Sequence, residues 1–221
     1  MIKEFSPEQL TAIKVAQQTA IDTKSNYRAL DNDHLDLLFR EARSQNGWLD
    51  EPVSDEQLEE LHSLTKMGST SMNCCPARFV FLRSSEQKER LKPTLAETNV
   101  AKAMSAPVVT IIGYDTAFYE HMPKLFPHMD VRPMFESNAE LTESTAFRNG
   151  TLQAAYFMSA ARALGLDCGP MSGFNNQAVD ALFFAGTSIK SNFICNIGHG
   201  DPQKLFQRLP RFEFNDVCQI L

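Results

Sequence analysis

The chain has 221 residues, of which 43% are hydrophobic and 22% are charged, so it is long enough for one sizeable domain with its own core. Its 27 acidic side chains outnumber its 21 basic ones, and the net charge of −6 disfavours a nucleic acid as the main partner because phosphate binding needs a basic face. No apolar run approaches the roughly 20 residues that cross a bilayer, no signal-peptide pattern opens the chain, and the five cysteines lack metal-ligand spacing, so we expect a cytoplasmic protein with free thiols.

Hydrophobic periodicity and capping residues predict five elements in the first 91 residues. They are a helix that opens at Ser6-Pro7, a helix over 33–43, a helix that opens at Ser54, a strand over 79–82 and a helix over 84–91. The first of these helices combines a hydroxyl N-cap with proline at the first helical position. We expect residues 1–30 to form a helical extension and residues 31–221 to form one domain, because no linker divides them.

The second half of the chain contains a central strand and one long helix. The elements predicted there are a strand over 107–114, an excursion from the core over 115–143, a helix over 145–164, a helix over 175–184 and a strand over 191–197. The first of these strands is β-branched and almost wholly apolar, which predicts a position in the middle of a sheet with both faces covered. Gly165 is predicted to cap the long helix.

Several common sites are absent from the sequence. No Gly-x-Gly-x-x-Gly follows a strand, and no P-loop, His-Glu-x-x-His or Gly-x-Ser-x-Gly motif occurs. The five histidines never pair at metal-ligand spacing, so no metal site is predicted. The vicinal pair Cys74-Cys75 is poorly placed for an unstrained disulfide, which favours a structural role in packing over redox chemistry.

Five polar clusters lie at the edges of predicted elements, at 41–48, 68–79, 99–102, 165–174 and 206–211. Arg43 and Ser44 could supply cationic and hydroxyl donors to a phosphate, although a solvated helix end is the commoner origin of such a pair. The second cluster carries hydroxyls and an amide that suit the edge of a heteroaromatic ring, or belong to an ordinary polar loop. Asn99 and Lys102 leave one helix face together. The glycines of the fourth cluster let backbone approach a flat ligand, and the fifth is a late basic element in an acidic chain.

In this order the clusters resemble the FMN-dependent nitroreductase family, from about residue 35 to the end of the chain. Arg43-Ser44-Gln45-Asn46 is similar to the family's Arg-Ser-x-Arg/Lys motif, with an asparagine in place of the second basic residue. In the second cluster, Cys75 and Ala77 stand where the family has Gln and Trp. The resemblance implies a cofactor site made of Arg43, Ser44, Asn46, Ser71, Asn73, Asn99, Lys102, Pro170, Met171, Ser172, Gly173, Arg208 and Arg211.

The resemblance also implies an α+β fold in which helices flank a central mixed or antiparallel sheet, and an intertwined homodimer that holds FMN between its subunits. Arg43, Ser44 and Lys102 would come from one chain, and Ser71 and Asn73 from the other. NADH or NADPH would be the co-substrate, and hydride would pass through flavin N5 in a ping-pong sequence. No nucleic acid or membrane partner is expected.

Longer strings narrow the resemblance to one subgroup. Residues 41–43, 46–54, 76–81, 147–150, 164–174 and 190–193 are similar to the RutE type, the malonic semialdehyde reductases of bacterial pyrimidine (uracil) degradation. The implied product is 3-hydroxypropionate, and the implied catalytic residues are Lys102 and Asn99, which would stabilise negative charge on the reduced flavin.

Two other functions stay open at this point, a general reductase of nitroaromatics, quinones or enals and a flavin-binding protein without turnover. The proton donor and the choice between NADH and NADPH are also open. Residues 115–143 are interpreted as a lid or as a dimer arm. Within them, Lys124 and Arg132 are the hypothetical partners of an acid substrate's carboxylate.

Overall fold

The computed structural model describes residues 5–221, and its centre is a four-stranded antiparallel sheet. The strands are β1 (Ala77–Leu82), β2 (Val108–Asp115), β3 (Asp167–Met171) and β4 (Ile189–Gly198), in the spatial order β1-β2-β4-β3. Together with the flanking helices this is the predicted α+β fold, and all pairs of neighbouring strands are antiparallel.

Ten α-helices lie among the described residues. They are α1 (Pro7–Ser25), α2 (Asn32–Leu35), α3 (Asp55–Thr65), α4 (Ser85–Leu91), α5 (Glu97–Ser105), α6 (Met122–Leu125), α7 (Arg132–Glu136), α8 (Ala139–Ala163), α9 (Asn176–Phe183) and α10 (Phe214–Val217). None of the helices in residues 5–221 has the length and apolarity of a membrane span.

The strand β2 is buried along its whole length, because helices cover both faces of the sheet. Val108 and Ile112 pack on one face against α3 and α8. Val109 and Ile111, which alternate with them, pack on the other face in a cluster that includes residues of α4, α5 and α9. This confirms the prediction of a central strand covered on both sides.

The long helix α8 begins at Ala139, six residues before the predicted start, because the Asn138 side chain accepts a hydrogen bond from the Leu141 backbone and acts as the N-cap. Its predicted end is confirmed. Gly165 has a φ of +76°, and the backbone of Leu166 donates to Ala161 at 2.9 Å, which is the hydrogen bond of a Schellman cap.

The predicted helix over 33–43 is wrong in both form and length. The four residues of α2 continue into a π-helical turn, Asp36–Arg40, in which the backbone of Glu41 donates to Asp36. Helical backbone therefore ends at Arg40, and residues 41–48 run as an irregular segment beside the sheet. No strand was predicted over 165–174, because its glycines and proline are typical of a loop, but residues 167–171 form β3. Pro170 is compatible with this strand because β3 lies at the edge of the sheet.

The helix α1 has a complete capping box at Ser6 and Gln9, as predicted, yet none of its residues is buried. Just before it, the Phe5 ring lies edge-on to the His128 ring, with 5.7 Å between their centroids. The first four residues of the proposed extension lie outside the described part of the chain.

Candidate functional site

A cleft of about 830 Å³ lies between residues 39–46, the end of α8 and the tail after β4. Its walls carry five arginines, Arg40, Arg43, Arg162, Arg208 and Arg211. We call it the arginine cleft. Ser44 and Asn46 also line it, so the cofactor-binding residues predicted in the first and last polar clusters lie around one space, namely Arg43, Ser44, Asn46, Arg208 and Arg211.

Two hydrogen bonds join segments that are far apart in the sequence. Arg43 Nη2 donates to the carbonyl oxygen of Phe206 at 2.5 Å, and Arg208 Nη2 donates to the carbonyl oxygen of Ala42 at 3.4 Å. The tail is thereby held beside the irregular segment, and the two basic clusters form one wall.

The arginine cleft carries more positive than negative charge. Asp36 lies 2.9 Å from Arg40 and Glu41 lies 3.6 Å from Arg208. No carboxylate in residues 5–221 lies within 4.0 Å of the guanidinium groups of the other three arginines, which are Arg43, Arg162 and Arg211. Unpaired guanidinium groups with fork geometry suit a phosphate.

The segment after Arg43 runs along the free edge of the sheet and connects the cleft to α5. The backbone of Gln45 donates to the carbonyl oxygen of Cys168 in β3 at 2.9 Å. Three residues later, Trp48 Nε1 donates to the carbonyl oxygen of Lys102 at 3.1 Å. The cleft, β3 and the helix that carries Lys102 are therefore joined side by side.

The predicted pair on α5 lies against the predicted glycine-rich segment. Asn99 Nδ2 donates to the carbonyl oxygen of Gly173 at 3.0 Å, and the backbone of Ala96 donates to the same oxygen at 2.9 Å. A methyl group on Gly173 would lie 2.6 Å from Asn99 Nδ2, so the Asn99 amide keeps its present position only with glycine at 173. Lys102 has no carboxylate within 4.0 Å in the described part of the chain. The arrangement places a cation and an amide beside Pro170–Gly173.

Ser71 and Asn73 lie in a separate, strained loop, Ser71–Cys75. Met72, Asn73 and Cys75 have φ values of 49°, 54° and 40°, which are uncommon for residues other than glycine. The backbone of Ser71 donates to Asn149 Oδ1 at 2.8 Å, and Asn73 Nδ2 donates to the carbonyl oxygen of Leu125 at 2.9 Å. These contacts hold the loop, and the side chains of Ser71 and Asn73 stay exposed.

The strained loop and the arginine cleft lie at opposite ends of β2. Lys102 lies just before the start of this strand, whereas the backbone of Asp115 at its end donates to Pro76, which follows the loop. Eight residues of extended strand span roughly 25 Å. One chain therefore does not bring Ser71 and Asn73 to the arginine cleft.

The vicinal cysteines are both reduced. Cys74 is buried against Tyr114 and Phe118, and burial raises the pKa of its thiol to about 11. The thiol is therefore protonated at neutral pH, which agrees with the interpretation that Cys74 has a structural role in packing.

The structure weakens the hypothesis that Arg132, within residues 115–143, binds the carboxylate of an acid substrate. Arg132 lies 3.0 Å from Glu120 and 3.2 Å from Glu136, so its charge is already neutralised. Of the two cations considered for an acid substrate, only Lys124 has no carboxylate partner within residues 5–221.

Sequence reasoning missed three residues that the structure adds to these sites. Arg40 and Arg162 line the arginine cleft, and Asn149 holds the strained loop. Arg162 reaches the cleft from the last turn of α8, more than a hundred residues after Arg43. No local pattern relates the two. In the sequence, Asn149 was noted only as part of residues 147–150, one of the strings that resemble the subgroup.

Comparisons with known proteins agree with this architecture. The family model described as the nitroreductase family matches residues 40–199. A protein of Cupriavidus pinatubonensis, with the provisional description NADH dehydrogenase/NAD(P)H nitroreductase, is 61% identical over 192 residues, which are 86% of this chain and 98% of the relative. HadB of Ralstonia pickettii, with the same provisional description, is 59% identical over 189 residues, 84% of this chain and 96% of HadB.

A crystal structure of a nitroreductase-like protein from Exiguobacterium sibiricum, in complex with FMN, superimposes with a TM-score of 0.76. The match covers 88% of this chain and 99% of that one at 19% identity. At this identity the likeness concerns the fold.

Proposed function

Because this chain belongs to the nitroreductase family, we propose that it is an FMN-dependent NAD(P)H oxidoreductase that reduces malonic semialdehyde to 3-hydroxypropionate in pyrimidine degradation. The overall reaction consumes the aldehyde, one NAD(P)H and one proton, and yields the alcohol and NAD(P)⁺. The observation that carries the proposal is the convergence of the first and last polar clusters on the arginine cleft, next to Asn99, Lys102 and Gly173.

The residues present fit FMN. The arginine cleft supplies unpaired guanidinium groups for a phosphate, with the Ser44 hydroxyl and the Asn46 amide beside them. The Cβ position of Gly173 is taken up by the Asn99 amide and Ala96, so the absence of a side chain there lets α5 pack directly against Pro170–Gly173 and brings Asn99 beside this segment. The nearby donors are the Asn99 amide and the Lys102 ammonium.

FMN supplies the redox chemistry when bound, because its isoalloxazine ring accepts hydride from a nicotinamide and passes hydride on to an oxidant. Arg43 and Arg208 would hold the phosphate, and residues 170–173 would face the ring. Lys102 would supply positive charge, and Asn99 an amide donor, to stabilise negative charge on the reduced cofactor. Asn99 is almost completely buried and is held by Gly173, so this donor is preorganised.

The same proposal includes a homodimer in which each site takes the arginine cleft from one chain and the strained loop from the other. The distance between the two features in one chain, roughly the length of β2, supports it. The tail supplies apolar surface for such an interface, because beyond the cleft it leaves large side chains exposed, namely Phe212, Phe214, Val217, Ile220 and Leu221.

A cross-complementation experiment tests the shared site. One chain carries Arg43→Gln, the other carries Asn73→Ala, and the two are co-expressed with different affinity tags. If each site draws on both chains, the mixed dimer has one site with both substitutions and one intact site, and activity returns to about half of the wild-type value. A site built within one chain leaves both sites defective, and a mixed dimer as inactive as the single variants contradicts the proposal.

A second candidate function is a general NAD(P)H nitroreductase, which the provisional descriptions of the relatives favour. Anaerobic turnover of the FMN-loaded protein with malonic semialdehyde and with a nitrofuran separates the two functions. We expect the larger kcat/KM for the semialdehyde. A larger kcat/KM for the nitrofuran would support the general nitroreductase function instead. A protein that does not bind FMN would exclude both.

A further inference from the structure

We propose that the arginine cleft binds the 2′-phosphate of NADPH in addition to the phosphate of FMN, so that the enzyme prefers NADPH to NADH. This inference rests on the proposed function of the cleft. It assigns a role to Arg162, which lies outside the motifs that resemble the family's phosphate ligands.

The first support is the charge of the cleft. Five guanidinium groups face the carboxylates of Asp36 and Glu41, which leaves about three positive charges. A phosphate monoester carries about −1.5 to −2 near neutral pH. FMN alone would therefore leave roughly one positive charge of the cleft without a counter-charge, and this charge is available to a second anion. A second phosphate supplies the missing negative charge.

The second support is the position and bonding of Arg162. It lies in the last turn of α8, so it enters the cleft from a different element than Arg43 or Arg208. Its one hydrogen bond to the protein, among residues 5–221, runs from Nη1 to the carbonyl oxygen of Leu38 at 3.3 Å. A guanidinium group has five N–H donors, so most of them are free for a ligand.

The third support is the presence of aromatic rings beside the arginines. Phe39 and Phe206 line the cleft and are 60% and 70% exposed. An exposed aromatic ring offers a flat apolar surface on which an adenine can stack. A small acid substrate needs only a cation, whereas adenosine 2′-phosphate uses both the cation and the ring. The aromatic lining therefore favours NADPH over the substrate carboxylate as the second anion.

The kinetic test compares NADPH and NADH on the FMN-loaded protein. We expect the wild-type kcat/KM for NADPH to exceed that for NADH by about tenfold or more, and Arg162→Gln to remove most of this difference. Arg162→Lys keeps the charge and should retain part of it. Arg90→Gln is the matched control, because Arg90 is an exposed arginine that stacks on Phe183 outside the cleft.

A binding test with wild-type protein avoids any effect of the substitution on folding. Calorimetric titration of the FMN-loaded protein compares adenosine 2′-phosphate with adenosine 5′-phosphate, which have equal charge. We expect the 2′-isomer to bind at least tenfold more tightly and to compete with NADPH.

Equal affinity for the two isomers, or equal kcat/KM for the two nicotinamides, would overturn the inference. So would an Arg162→Gln enzyme that keeps the NADPH preference but shows a raised KM for malonic semialdehyde, since Arg162 would then bind the substrate. In each case the proposed function stands if the protein binds FMN and oxidises a reduced nicotinamide. Failure of the protein to bind FMN would contradict the proposed function itself.

Discussion

The two parts of the proposed site are built in opposite ways. The arginine cleft consists of charged side chains brought together from distant segments, and none of its arginines has a positive φ. The strained loop, Ser71–Cys75, consists of neighbouring residues whose backbone is held in uncommon conformations by contacts such as the one with Asn149. A site of the first kind depends on charge, and a site of the second kind depends on conformation. Substitutions should therefore affect ligand affinity at the cleft and folding stability at the loop.

Loss of an arginine should give the largest effect. We expect Arg43→Gln to weaken FMN binding by about a hundredfold, because a bidentate charge-assisted contact contributes about 3 kcal/mol. Quenching of flavin fluorescence during titration of the apoprotein measures the affinity. Arg83→Gln is the control, since Arg83 pairs with Asp55 outside the cleft. Equal loss in both variants would mean that the general charge of the surface, not the cleft, attracts the cofactor.

A methyl group on Gly173 should reduce turnover with a smaller loss of FMN affinity. The added carbon would lie 2.6 Å from Asn99 Nδ2, so the amide must move from its present position. We expect Gly173→Ala to lower kcat by about tenfold, as misplacement of one donor does. Gly186→Ala serves as the control, because Gly186 has a φ of +75° and open space around its Cβ position. That variant should lose stability through backbone strain and keep its kcat.

The ion pair behind the strained loop should make stability depend on acid pH. Burial alone would raise the pKa of Asp115, but hydrogen bonds from Ser188, the Ala117 backbone and Arg78 outweigh it and hold the pKa below its usual value. A depressed pKa in the folded state contributes stability above the unfolded pKa of about 4 and loses it as the pH falls.

We expect Asp115→Asn to cost about 2 kcal/mol in the free energy of unfolding at pH 7, a value typical of hydrogen bonds to a charged group. The difference between this variant and the wild type should shrink as the pH falls below about 4. Urea unfolding at a series of pH values measures it, with Asp55→Asn as an exposed control. A difference that stays constant down to pH 3 would contradict the assignment.

Relief of the strain in the loop should give the smallest effect, with the opposite sign. Cys75 has a φ of 40°, which glycine adopts without cost, so Cys75→Gly should raise the free energy of unfolding by about 0.5–1 kcal/mol. Cys218→Gly is the matched control, because Cys218 is exposed and has a φ of −122°. Thermal unfolding of the two variants measures the difference. A lower melting temperature for Cys75→Gly than for Cys218→Gly would show that the thiol stabilises the loop more than the strain destabilises it.

Local chemistry explains which elements the sequence predicted well. The apolar run of β2, the capping residues of α1 and α3, and Gly165 at the end of α8 all act within a few residues, so their patterns can be read directly. The π-helical turn Asp36–Arg40 could not be read in this way, because its sequence has ordinary helical spacing. The edge strand β3 was hidden by a glycine and a proline that normally indicate a loop, and only the free edge of the sheet makes proline acceptable there.

The sequence by itself determined the central buried strand and the chemical types in each polar cluster, because residue identity and periodicity carry that information, whereas the α+β class followed from its resemblance to a known family. Only the tertiary structure decided which clusters meet. It placed Arg43 beside Phe206, 163 residues later, and added Arg162 to the same cleft. It also put Ser71 and Asn73 at the far end of β2. These distances follow from sheet order and helix packing, which depend on contacts across the whole chain and leave no mark in any short stretch of it.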